Sequence, residues 1–156
     1  MTKRYQHILL PLDGSPLAEL ALADAFAVAE LSGAEITLLQ VIPPIEHVIA
    51  SEAEHPIFVD QQWEAKKALA REYLLSVCER AGCPDITVHT AVEMGPAAET
   101  IIDYAHHHPI DLIVMATHGR SGLQRWVYGS VADKVLRGAT QPILLVRAYP
   151  QNPAKG

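Results

Sequence analysis

Five short runs rich in apolar and β-branched residues alternate along this chain with stretches whose apolar residues recur at helical spacing, and that alternation restricts the fold more than any other feature. The runs are His7–Leu12, Ile36–Val41, Ile86–Val92, Leu112 to about Thr117, and Ile143–Val146. An order of βαβαβαβαβ calls for parallel strands joined by right-handed crossovers, hence an open five-stranded α/β sheet with helices on both faces. In such a sheet ligands bind at the carboxyl ends of the strands, where the strand order reverses. A length of 156 residues fits one domain with a real core.

The punctuation between the runs supports this reading. Asp13-Gly14-Ser15-Pro16 reads as a turn into a helix, with Ser15 as N-cap and Pro16 in the first helical position. Leu17, Leu20, Ala21, Val28 and Leu31 then recur at helical spacing, with Glu19 and Glu30 left for solvent and Gly33 as the C-terminal cap. From Ile42 to Val59, prolines, histidines and glutamates predict a long crossover loop, and a helix follows from about Asp60 to Ala81, with Trp63, Ala70, Tyr73, Leu74, Val77 and Cys78 on one face. Gly82-Cys83-Pro84 stops it. Gly95-Pro96 opens a further helix that turns Ile101, Ile102 and Ala105 inward and ends by Pro109. The triplet His106-His107-His108 reads as a solvated helix end, because consecutive helical residues point in three directions and metal pairs want i,i+4 spacing or converging elements. Tyr149–Gly156 reads as a loose tail after a domain spanning 1–148.

Bulk properties exclude several classes. A net charge of −6 argues against general nucleic-acid binding, and no apolar run approaches the length of a membrane span. Asp13 interrupts the first apolar run too early for a signal peptide. Cys78 and Cys83 would close only a tiny disulfide loop, so a reducing, cytoplasmic setting is expected.

The stretch Leu112–Val131, LIVMATHGRSGLQRWVYGSV, carries the chemistry. It reads as a buried strand, a loop with Gly119, Gly122 and Gly129, and a helix start at Ser130-Val131-Ala132-Asp133, where a Ser precedes an acid by three residues. Glycines let backbone approach an anion, and the unpaired N–H groups of a helix's first turn point at it. No acidic residue lies between Asp111 and Asp133, whereas Arg120 and Arg125 do. Neither a P-loop nor a G-x-G-x-x-G fingerprint is present. From the residues alone, a phosphate site and an ordinary αβ connection with turn glycines both remain open.

The run A-T-H-G-R-S-G-L-Q-R-W-V-Y-G-S resembles the nucleotide-binding subgroup of the universal stress protein family, which carries G-x2-G-x9-G-[ST] after its fourth strand. Gly119, nine residues, and Gly129-Ser130 match it, while Ala116 stands at the first glycine. If that position needs a positive φ, alanine costs about 1 kcal/mol; if only close approach matters, one methyl is tolerated. The resemblance extends from His7 to Arg147 through H-I-L-L-P-L-D-G-S, M-G-P-A and Q-P-I-L-L-V. It implies a Rossmann-like sheet of the adenine nucleotide alpha hydrolase type, with strand order 3-2-1-4-5. It further implies an adenine nucleotide (ATP, ADP or AMP) and a role in stress response or regulation, with Mg2+ carried on the phosphates and at most slow ATP hydrolysis. Pro11, Leu12 and Asp13 would lie near adenine and ribose, and Val41 would meet the adenine edge through its backbone. Met115, Ala116, Gly119, Arg120, Gly129, Ser130 and Val131 would surround the ribose and phosphates. A homodimer through Ile143–Val146, paired antiparallel with the same strand of a second copy, is expected both from the resemblance and from the apolar terminal strand. The competing function is a nucleotide-free dimeric interaction module of the same fold.

Overall fold

The computed structural model describes residues 3–44, 56–118 and 129–148. Strands β1 (His7–Leu12), β2 (Glu35–Ile42), β3 (Val88–Met94), β4 (Leu112–His118) and β5 (Ile143–Ala148) form one parallel sheet in the order β3-β2-β1-β4-β5. Helices α1 (Pro16–Glu19), α2 (Leu22–Ser32), α3 (Pro56–Ala81), α4 (Ala97–His107) and α5 (Ser130–Gly138) connect them.

The strand pleat divides the core in two. On one face Ile8, Leu10, Ile36, Leu38 and Val114 meet Ala25, Phe26 and Ala29 of α2 and Leu74 and Val77 of α3. On the other, Leu9, Leu39, Ile113 and Met115 meet Ala98, Ile101 and Ala105 of α4 and Ala132 and Val135 of α5. Alternate residues of one strand thus feed opposite layers, which is why the central runs are apolar without a break. The crossovers from β1 and β2 run toward β3 and those from β3 and β4 toward β5, so the order reverses between β1 and β4.

Several boundaries depart from the sequence reading. The first helix is broken: Leu20 N–H donates to Leu17 O at 3.1 Å and Ala21 N–H to Ala18 O at 3.3 Å. These tighter i→i−3 bonds rotate the inward stripe of α2 onto Ala25, Phe26 and Ala29, leaving Leu31 87% exposed and Leu20 half-exposed. Ser15 does cap α1, accepting from Ala18 N–H at 3.2 Å, and Gly33 closes α2 with φ 69°. The crossover after β2 is shorter than Ile42–Val59, because Ile42 completes β2 and α3 already begins at Pro56, a residue suited to a first helical position. The third strand starts at Val88 rather than Ile86, since Ile86 N–H donates to Cys83 O at 3.2 Å and closes a turn around Pro84. Helix α5 takes Gly129 as its N-cap with no side-chain bond, so Ser130 is a first-turn residue rather than the cap. Gly138 ends that helix from inside, where a Cβ would stand 2.6 Å from Ile102 Cδ1, and it lets α5 press against α4.

Cys78 and Cys83 are free, and burial pushes the Cys78 thiol up. His107 and His108 each place Nδ1 on a carbonyl four residues back, at 2.7 and 2.9 Å, as expected of a solvated helix end. Among the described residues no helix is long and apolar enough to cross a membrane. The tail from 149 lies outside the described residues.

Candidate nucleotide site

A cleft of about 780 Å³ opens at the carboxyl ends of β1, β2 and β4, at the point where the strand order reverses. That volume lies within the usual range for small-molecule sites. β1 brings Pro11 and Leu12 to it and Asp13 follows; β2 brings Gln40 and Val41; β4 brings Met115 and Ala116; and α5 presents its first turn, Gly129, Ser130 and Val131. Nine of the residues expected from the sequence therefore line one cavity. Gly119 and Arg120 lie outside the described residues.

Local bonding sets the geometry of each wall. Asp13 Oδ1 accepts from Ser15 N–H at 2.9 Å and from Ser15 Oγ at 2.5 Å, an Asx turn that fixes the carboxylate where β1 ends and α1 begins. Gly129 has φ 79° and ψ 152°, a conformation nearly restricted to glycine, and it swings the chain into α5, whose first turn borders the cleft with its amides. Those amides carry the positive end of the helix dipole. Ala116 is extended within β4 and pairs with Val146, so this position needs no positive φ and the methyl costs no backbone strain.

The third wall was not read from the sequence. Lys66, Leu69, Ala70 and Tyr73 form an i, i+3, i+4, i+7 stripe on α3 that faces the cleft, so a lysine does reach the site from outside the glycine loop. Tyr73 Oη donates to Glu19 Oε1 at 2.9 Å, and Arg80 grips both oxygens of Glu19 at 3.1 Å, tying α3 to α1 beside the opening. Burial, with the bond to Glu19, raises the Tyr73 phenol and keeps it neutral. The Arg80 bonds, aided by Tyr73, lower the Glu19 carboxyl, so Glu19 is not left for solvent. A lowered folded-state pKa means that this joint stabilises the fold above the ordinary value of 4.5 and fades as pH falls through the lowered one. Thermal unfolding of Glu19→Gln and the parent should accordingly differ most near neutrality and converge in acid. Gln40 contributes a buried Oε1 with no hydrogen-bond partner among the described residues, on a side chain lining the cleft.

Similarity to known proteins agrees with the architecture. A match to the universal stress protein family covers residues 4–147. The chain belongs to the universal stress protein family. It is 34% identical over 146 residues to a universal stress protein of Mycolicibacterium smegmatis, a match covering 90% of this chain and 45% of that longer protein. Universal stress protein UspA from Lactobacillus plantarum has the same fold, with TM-score 0.76, 28% identity, and coverage of 94% of this chain and all of that one. A universal stress protein in complex with cAMP shares the fold at TM-score 0.64 and 22% identity, covering 93% of this chain and 98% of that one. The β3-β2-β1-β4-β5 order that the resemblance implied is thus the order of a universal stress protein sheet.

Proposed function

We propose that this universal stress protein binds an adenine nucleotide in the switch-point cleft and acts as a nucleotide-responsive regulator in the cytoplasm. The observation that carries the reading is the convergence of Asp13, the first turn of α5 behind Gly129, and Lys66 on one cavity of suitable size. Pro11, Leu12, Val41 and Met115 supply apolar and backbone surface for the base, with the Val41 peptide against the adenine edge. The orphan Gln40 Oε1 is an acceptor suited to an exocyclic amine. Asp13, with Oδ1 engaged by Ser15, keeps Oδ2 for a ribose hydroxyl. Ser130, Val131 and their amides take the phosphates together with Gly119 and Arg120, and Ala116 borders the ribose. The family member in complex with cAMP shows an adenine nucleotide on this fold, which supports the choice of ligand.

In this reading Mg2+ rides on the phosphates. Efficient phosphoryl transfer needs an oriented water and donors for developing charge, and the cleft wall formed by the described residues is mostly apolar. ATP turnover should therefore stay well below about 1 per second, measured as phosphate release. Acid extraction of the purified protein followed by nucleotide chromatography tests the assignment. Recovery of AMP, ADP or ATP from the parent but not from Gly129→Asp supports it; equal recovery from both, or recovery of a different nucleobase, contradicts it.

A further inference from the structure

The opposite end of the sheet holds a second constellation. His7 opens β1, Glu35 opens β2, and His89 is the second residue of β3. The parallel register sets His7 beside Glu35 and Thr37 beside His89, so these four side chains stand on one face of three adjacent strands. His89 Nε2 lies 2.8 Å from Glu35 Oε2, His7 Nε2 lies 2.7 Å from Thr37 Oγ1, and the two imidazole centroids are 5.7 Å apart. One ligand atom from each of His7, Glu35 and His89 falls within 4.8 Å of the others.

We propose that His7, Glu35 and His89 form a divalent transition-metal site, best suited to Zn2+, at the amino ends of β1, β2 and β3. Two imidazoles and one carboxylate are the donor set of three-ligand zinc centres, whereas Ca2+ and Mg2+ want oxygen alone. Zinc ligands sit about 2.0–2.2 Å from the ion, so its donor atoms stand roughly 3.3–3.5 Å apart; His89 Nε2 and Glu35 Oε2 must open from 2.8 Å while His7, now within 4.8 Å of both, draws in. The His89 and Glu35 side chains are about half exposed (50% and 51%) and free to make that adjustment, while the backbone register holds all three residues in place. A simple Glu–His surface pair needs only one imidazole. His7, whose Nε2 meets Thr37 Oγ1, brings a second imidazole from a different strand beside that pair and supplies the third donor that a cation needs. The fourth position is left to water, so the ion joins three strands while remaining open to solvent. The site lies about 17–20 Å from the cleft, the length of a six-residue strand, and works independently of nucleotide.

The test uses full-length protein without a histidine tag, stripped with chelator and then titrated with Co2+ and Zn2+. One Co2+ per chain should bind with the intense visible bands of a four-coordinate ion and be displaced by Zn2+. His89→Ala and Glu35→Gln, both at half-exposed positions, should each weaken binding at least roughly tenfold and leave unfolding of the metal-free chain unchanged. Zn2+ should raise the Tm of the parent and not of a variant carrying both changes. Absence of stoichiometric binding by the parent at about 0.1 mM metal overturns the site, as does binding that both variants leave intact, which would place the metal elsewhere on the chain.

Discussion

Gly129→Asp should weaken adenine-nucleotide binding by at least about a hundredfold while leaving the sheet folded. Two independent effects act in the same direction. At φ 79° and ψ 152° any side chain is strained by about 1–3 kcal/mol, so the turn that aims α5 at the cleft is displaced. The new carboxylate also places a negative charge where the proposal puts phosphates, and a charged contact is worth about 1.5–3 kcal/mol. Together these amount to roughly two decades or more in affinity. Gly129→Ala separates the two, because it carries strain without charge and should lose less. Ser130→Ala, which removes only a hydroxyl, should lose least. Calorimetry on the three variants, with circular dichroism to verify folding, checks the order Asp, then Ala, then Ser130→Ala. Equal losses for all three would mean that phosphate does not sit at this helix start.

Leu145→Pro should convert a dimer to a monomer without unfolding the chain. Among the described residues β5 lies at the sheet's edge, paired only with β4, and its apolar residues Ile143, Leu144, Leu145 and Val146 are part-exposed. Pro142 O accepts from Ile113 N–H at 3.0 Å, so in a parallel ladder Leu144 and Val146 turn their backbone groups toward β4 while Ile143 and Leu145 turn theirs outward. The outward row is an open edge of the kind proteins cover or pair, and a two-fold axis lets one copy solve the problem for both. Proline at 145 removes an outward donor that β4 does not use, and edge strands tolerate it. Light scattering at micromolar concentration should give about twice 17.0 kDa for the parent and about 17.0 kDa for the variant. A monomeric parent would refute this assembly, and a dimeric Leu145→Pro would refute this edge as its seam.

How far the sequence spoke for itself follows from the range of each signal. Pro11–Asp13 and Gly129–Ser130 were legible because a strand end and a helix start are written within a few neighbouring residues, and the switch-point rule then brings them together. The break at Leu20 and Ala21 was not legible, since no proline or glycine marks it and only the i→i−3 bonds reveal it. Lys66 was missed for a related reason: its stripe with Leu69, Ala70 and Tyr73 is visible in the sequence, but the face turned toward the cleft is decided by how α3 packs on β2 and β3. His7, Glu35 and His89 are the extreme case. Nothing near any one of them hints at the others, and only the inter-strand register places them together. Conversely, the three consecutive histidines at the end of α4 looked conspicuous, yet His107 and His108 bond carbonyls of their own helix.

Whether the switch-point cleft holds an adenine nucleotide is decided by titrating the nucleotide-stripped protein with AMP, ADP and ATP in a calorimeter. Saturable heat is expected, with one nucleotide per chain, a submillimolar Kd for at least one of the three, and a clear loss for Asp13→Asn. No saturable heat with any of them at millimolar concentration would contradict it and leave this chain an interaction module built on a nucleotide-binding frame.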